Sequence, residues 1–329
     1  MTHDVQRRIE QEILRLFRRE VLTHDLHASS PQLIEYVEAY LQRPAKRIRP
    51  WLLGTAAAAY GFSDREAVLR VGAATELLHV FALMHDDRLD GEERITTESE
   101  PEKRDHPYQV LGGDFLHSVA MHTLHDAVRE FALSDEILDV IQSISLTTIA
   151  GQASDIEFLD HADVSPSIDR LHTLYDVKTG YYSFVAPLTI GGIMGDAPAS
   201  DRGTLTALGL ELGRVYQIRD DVADIREYLA RIDAEDTSLP PRWEFNLLST
   251  YLFESQGIDI RNVRDSDSSR HDTLWQLSVD SLEAFVDDVT APELARCRSF
   301  IRELNLSPDN RAALHDAVVS LEHETRYRA

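Results

Sequence analysis

Thiol chemistry is nearly missing from this chain. Cys297 is the only cysteine in 329 residues, so an intramolecular disulfide cannot form and a thiolate metal cluster is excluded. Lysine is almost as scarce: Lys46, Lys103 and Lys178 are the only three, which leaves arginine to supply 30 of the 33 basic side chains. No apolar run approaches the roughly 20 residues that cross a bilayer, and the charged, amphipathic start "MTHDVQRRIEQEI" is unlike a secretory leader. The expectation is therefore a cytoplasmic protein without a membrane span. Two-residue alternation of apolar and polar side chains between hairpin turns is absent too, which removes the β-sheet classes. Positive charge is in short supply overall. A net charge of -24 repels a phosphate backbone and argues against nucleic acid as a partner, so any anionic ligand needs its own local cations or metal ions.

What the chain has in quantity is helical periodicity. "DVQRRIEQEILRLFRREVL" sets Val5, Ile9, Ile13, Leu14 and Leu16 or Phe17 along one side, and "RPWLLGTAAAAYG" reads as a helix stopped by Gly61. "SDREAVLRVGAATELLHVFALMHDD" opens on Ser63 as a cap and runs apolar almost throughout, as a central helix should. Four more long helices are expected before residue 232, one of them the whole of "SIDRLHTLYDVKTGYYSFVAPLTIGGIMG", and two, "TLWQLSVDSLEAFVDDV" and "PELARCRSFIREL", nearer the end. The reading is a single all-α domain over residues 1–329, a large helical bundle with loops near 91–107, 160–167, 195–202 and 233–242. "GIDIRNVRDSDSSRHD" is the most loop-like stretch.

Two acidic clusters break the apolar helices. "HDDRLD" carries Asp86, Asp87 and Asp90, and "YQIRDDVAD" carries Asp220, Asp221 and Asp224. Residues i and i+4 share a helix face, so Asp86 with Asp90, and Asp220 with Asp224, each make an oxygen-rich ledge. Such a ledge suits Mg²⁺, which binds through one or two carboxylates together with substrate phosphates, and Mn²⁺ takes similar donors. One D-D-x-x-D pattern would be weak, since a short motif recurs by chance. Two copies after apolar stretches, with Asp287-Asp288 left as a solvated pair, point to a paired metal site for a diphosphate.

In order along the chain stand "PAKRIRP", "HDDRLD", "GQASD", "DVKTGYY" and "YQIRDDVAD". Together they resemble the trans-isoprenyl diphosphate synthases, the polyprenyl synthetase family of class I all-α isoprenoid enzymes, from about residue 30 to the C-terminus. The resemblance implies the class I isoprenoid synthase fold and a Mg²⁺-dependent condensation of isopentenyl diphosphate with an allylic prenyl diphosphate. It implies that Asp86, Asp87, Asp90, Asp220 and Asp224 hold or orient the metal ions, with Asp221 in support. Lys178, Thr179 and Gln217 would then face the allylic diphosphate, and Lys46, Arg49 and His79 would hold isopentenyl diphosphate. A homodimer is the family habit. A bulky residue just before the first motif limits product length in this family. Phe81, followed by the small Ala82, implies a short-chain product, C20 favoured and C15 possible.

Three departures from the family pattern stand beside the match. The Gly-Gly before the lysine is Pro44-Ala45; the arginine pair after the first motif is Arg94-Ile95; and the G-K-x-x-G-x-D segment after the second motif is missing. Arg231 or Arg242, and the terminal Arg326 and Arg328, are the available replacements for the missing cation. The alternatives to an active synthase are a synthase-like terpene cyclase acting on an allylic diphosphate alone, and a non-catalytic subunit of a heteromeric synthase.

Overall fold

Every regular element among the described residues is a helix. The computed structural model describes residues 3–89, 107–160, 167–231, 247–257 and 279–324. In order these are α1 (His3–Thr23), α2 (Leu26–Ser29), α3 (Pro31–Leu41), α4 (Ile48–Ala59), α5 (Arg65–Leu89), α6 (Pro107–Glu130), α7 (Glu136–Asp160), α8 (Ile168–Tyr175), a π-helical segment (Asp176–Val185), α9 (Ala186–Met194), α10 (Ala199–Arg231), α11 (Leu247–Gln256), α12 (Val279–Glu303) and α13 (Pro308–Glu324). The chain divides into two units, Met1–Ile141 with Pro187–Ala197, and Gln142–Ala186 with Pro198–Ala329.

In the first unit α5 is central, packed by α1, α4 and α6. The amphipathic face of α1 buries Ile9, Ile13, Leu16 and Phe17, while Val5 stays exposed. This face meets Ala73, Leu77, Val80 and Met84 of α5 and Leu116 and Val119 of α6. Contrary to the expectation that no stretch is apolar enough, α5 has the length and hydropathy to cross a membrane, but 61% of its apolar window is buried inside the protein, as in a core helix. Its cap is Asp64 rather than Ser63: Asp64 Oδ1 accepts from the amides of Glu66 (2.9 Å) and Ala67 (3.1 Å). A carboxylate at that position also favours the positive end of the helix dipole. Gly61 does end α4, at φ +86°, with Phe62 N–H reaching back to the Ala57 carbonyl.

In the second unit α10 is the spine against which the π-helical segment, α8, α11, α12 and α13 pack. The stretch expected as one α-helix from residue 167 to 195 contains ten π-helical residues instead. A π turn inserts residues into an α-helix and is common where a side chain must be re-aimed. Here close backbone contact accompanies it. A Cβ on Gly213 of α10 would lie 2.6 Å from Gly180 Cα, and one on Gly151 of α7 would lie 2.7 Å from the Val177 carbonyl. Only glycine lets neighbouring helices come this near to the segment. The two helices expected near residues 273–304 are one, α12, which runs through Pro292. The proline frees the carbonyl of Asp288, and that residue is exposed, where an unpaired carbonyl costs least. The expected loops near 91–107, 160–167 and 233–242, and almost all of "GIDIRNVRDSDSSRHD", lie outside the described residues.

Candidate active site

In the first unit the two adjacent aspartates of α5 have different surroundings. Asp86 is half-buried. Asp87 is 2% exposed, and its Oδ2 accepts a 2.6 Å hydrogen bond from Tyr40 Oη, at the end of α3. Arg43 Nη1 stands 3.8 Å from the same oxygen, with its guanidinium 4.6 Å from the Tyr40 ring centroid. Five residues before Asp86, Phe81 sits edge-on to His85 at 4.7 Å and to His117 at 5.0 Å, packed against the core.

The loop that carries Lys46 is fastened at both ends. Gln6 Nε2 donates to the Ala45 carbonyl at 2.8 Å. Arg47, in the left-handed region at φ +53°, sends its guanidinium inward to Glu76 Oε1 (3.2 Å) and to the carbonyls of Leu41 (3.2 Å) and Arg43 (3.4 Å). The side chains of this pair are 3% and 1% exposed. The left-handed turn arises at the arginine itself, although Pro44-Ala45 stand where the family has two glycines. His79, one turn along α5 from Glu76, has its pKa pushed well below the imidazole value by burial, and further by the charges of Arg49 and Arg47. It is neutral at pH 7 and so keeps one N–H to donate.

The second unit repeats the treatment of the aspartate pair with other parts. Asp220 is half-buried. Asp221 accepts a short hydrogen bond from Tyr175 Oη at the end of α8 and a second, 2.9 Å, from Gln217 Nε2. Gln217 Oε1 in turn accepts from Thr179 Oγ1 at 2.8 Å, so Thr179, Gln217, Asp221 and Tyr175 form one chain of bonds. The π-helical segment is further held by Asp176, which takes a two-pronged bond from Arg214 of α10 (Nε to Oδ1, 2.7 Å). Lys178 lies on that segment, half-buried.

The structure thus brings Thr179, Gln217 and Asp221 together, and sets His79 within the field of Arg49. Tyr40, Arg43, Arg47, Glu76, Tyr175 and the Asp176–Arg214 pair were not anticipated from sequence. Tyr175 had a usable signal in its place three residues before Lys178; Tyr40 had none. Asp90 and Arg94 lie outside the described residues, as do Arg242, Arg326, Arg328 and the side chains of Asp224 and Arg231. The donors that can be described, Asp86 and Asp220, are hard oxygens partly open to solvent, which fits a cation such as Mg²⁺ that keeps several waters. Among the described residues no three His, Cys, Asp or Glu side chains form a ready metal group.

Residues 30–233, well over half of the chain, match the sequence pattern of the Polyprenyl synthetase family. The chain belongs to that family. Among polyprenyl synthetase relatives it is 33% identical over 185 residues to a geranylgeranyl diphosphate synthase of Saccharolobus solfataricus, covering 55% of this chain and 54% of that one. It is 26% identical over 315 residues to a geranylfarnesyl diphosphate synthase of Natronomonas pharaonis, covering 89% and 90%. The chain spans about half the length of the first relatives it matches, the Methanocaldococcus jannaschii short chain isoprenyl diphosphate synthase included. Solved structures agree in fold. A geranylgeranyl pyrophosphate synthase of Lactobacillus brevis aligns with a TM-score of 0.75 over 97% of both chains at 16% identity. One from Corynebacterium glutamicum, complexed with isoprenyl diphosphate and magnesium, aligns at 0.74 over 95% and 96% at 19% identity. The chain has the all-α fold of this family, as the sequence implied.

Proposed function

We propose that this polyprenyl synthetase is a Mg²⁺-dependent prenyltransferase that joins isopentenyl diphosphate to an allylic prenyl diphosphate and releases a short-chain product, C20 favoured and C15 possible. The observation that carries the reading is the common build of the two acidic motifs: a half-buried first aspartate, Asp86 or Asp220, beside a second one tied down by a tyrosine. Asp86, Asp90, Asp220 and Asp224 are assigned to the cation. Asp87, expected as a ligand, is assigned with Asp221 to support, because its oxygen already serves Tyr40 and Arg43 in a buried setting.

Bound Mg²⁺ would neutralise charge on the allylic diphosphate and lower the barrier to its departure. Lys178 adds a fixed cation for the leaving group, oriented by a segment that Asp176 and Arg214 hold to α10. Lys46 and Arg49 bind the diphosphate of the second substrate, and neutral His79 donates an N–H to it. The allylic C–O bond breaks with its electron pair going to diphosphate. The double bond of isopentenyl diphosphate then attacks the allylic carbon through C4, and a proton leaves C2 for the departed diphosphate. The product is one isoprene unit longer. Phe81, wedged between His85 and His117, is assigned to the floor that limits the tail.

Residues 1–329 are read as one catalytic domain acting in the cytoplasm; structural neighbours that align over 95–97% of the chain support the single-domain part of that reading. A second copy of the chain is the proposed partner. Supporting it, Leu146, Ile149 and Ile156 are exposed large apolar side chains of α7. The test incubates the protein with Mg²⁺ and geranyl, farnesyl or geranylgeranyl diphosphate, with and without labelled isopentenyl diphosphate. Label in a longer prenyl alcohol after hydrolysis is expected. Cyclic product from the allylic substrate alone would replace the reading with a cyclase, and no product in any tube would replace it with a subunit that needs a partner.

A further inference from the structure

The second aspartate of each motif is held by a tyrosine hydroxyl from a different helix, and nothing in the local sequence encodes the pairing. Tyr40 lies 47 residues before Asp87, and Tyr175 lies 46 residues before Asp221. The two partners differ in every other respect. Asp87 also faces the Arg43 guanidinium, whereas Asp221 has the amide of Gln217 on its other oxygen. The same solution reached with different neighbours argues for a shared task.

The physical need is clear. Two adjacent carboxylates repel, and both compete for any cation that approaches their helix face. A buried carboxylate without partners is costly, so Asp87, at 2% exposure, must be satisfied from within the protein or swing outward. An O–H to carboxylate bond of 2.6 Å is in the short, charge-assisted class. It fixes the side-chain rotamer, and Arg43, lying over the Tyr40 ring, balances the charge. In the second motif the hydrogen-bond chain from Thr179 through Gln217 fixes the other oxygen of Asp221 in the same manner.

We propose that Tyr40 and Tyr175 are positioning residues for the cation sites: each holds the second aspartate of its motif aside, so that the first, Asp86 or Asp220, meets a cation without competition from its neighbour. The inference rests on the prenyltransferase reading above. Groups outside the ligand shell that orient a metal site commonly control affinity by about 10–100-fold when removed, and the tyrosines, acting through a neighbour of the ligand, are assigned the lower end. Phenylalanine at either position keeps the ring packing and deletes only the hydroxyl.

The experiment titrates Mg²⁺ into wild type, Tyr40→Phe and Tyr175→Phe in the presence of inorganic diphosphate, following heat of binding by calorimetry, with thermal melts in parallel. Tyr36→Phe, also a buried tyrosine of α3, is the matched control. The expected result is a Mg²⁺ midpoint raised about tenfold or more in both variants and unchanged in the control. In an Asp87→Asn background, where no second carboxylate is left to compete, Tyr40→Phe should no longer raise the Mg²⁺ midpoint. Steady-state rates should show kcat falling while KM for isopentenyl diphosphate stays within about twofold, since this substrate is assigned to other residues. Midpoints within about twofold of wild type, whatever the melts do, would reduce the tyrosines to core packing and overturn the proposal. If wild type takes up no diphosphate with Mg²⁺, the prenyltransferase reading falls and the proposal falls with it.

Discussion

Removing the charge of Glu76 should separate the anchoring of the Lys46 loop from the chemistry assigned to the acidic motifs. Arg47 is buried with Glu76, and its other donors serve two carbonyls at the end of α3 and in the loop. Breaking one half of a buried ion pair leaves an uncompensated charge and costs about 3–5 kcal/mol. Glu76→Gln keeps the shape and one acceptor, so the lower figure of about 3 kcal/mol applies. In a unit of roughly 150 residues each kcal/mol shifts the midpoint by about 2–4 °C, which puts the first melting transition about 6–12 °C lower. Arg47→Ala should fall at the upper end, because it also strips the Leu41 and Arg43 carbonyls of donors. The double change Arg47→Met with Glu76→Leu removes both charges and should recover most of the loss, as apolar replacements of buried pairs do. Recovered stability should not bring back substrate binding, because the turn at φ +53° then lacks its inward tether and Lys46 and Arg49 lose their setting. The assay is differential scanning calorimetry together with KM for isopentenyl diphosphate. A double variant no more stable than the worse single one, or Glu76→Gln melting within a degree of wild type, would refute the account of the pair.

Other outcomes follow from the same geometry. Asp86→Ala and Asp220→Ala should lose measurable turnover while melting close to wild type, since both carboxylates are half-buried; wild-type rates in either would remove that residue from the cation site. His79 has a folded pKa below its unfolded value, so the unfolded chain binds the proton first. Its effect on stability is nil above about pH 6.5. Stability then falls by about 1.4 kcal/mol per pH unit as pH drops below that value, until the folded pKa is reached. His79→Gln should flatten that slope in urea titrations at pH 7 and pH 5.5, and an unaltered slope would contradict the burial of a neutral imidazole. Gly213→Ala places a methyl group 2.6 Å from Gly180 Cα, which should destabilise by about 1–3 kcal/mol. It should also impair catalysis through the displaced Lys178, whereas Gly203→Ala, with open space around it, should do neither.

Much of the architecture was legible because its signal is local. A helix declares itself by periodicity, and α1, α4 and α5 lie where the apolar spacing put them. Boundaries were less secure where two good caps are adjacent, as with Ser63 and Asp64, since hydrogen-bond geometry and not residue type chooses between them. The π-helical segment was invisible. Nothing in residue type separates a π from an α turn, and what distinguishes the segment is the backbone approach of Gly213 and Gly151 from other helices. Pro292 gave the opposite error: a proline that normally interrupts a helix is tolerated where the residue whose carbonyl it frees, Asp288, is exposed.

By itself the sequence determined the helical class, the family and the two acidic motifs, because each depends on residue type at short spacing along one chain. It also determined that an anionic ligand requires imported or clustered cations, since total charge is independent of fold. Only the tertiary structure decided that the second aspartate of each pair, Asp87 and Asp221, accepts a tyrosine hydroxyl from another helix. It alone decided that Arg47 turns inward while the neighbouring Arg49 acts on His79, and that His79 is neutral. The reason is the same in each case. A carboxylate, a guanidinium or an imidazole takes its role from the partners and the dielectric around it, and those are supplied by helices that lie far away along the chain.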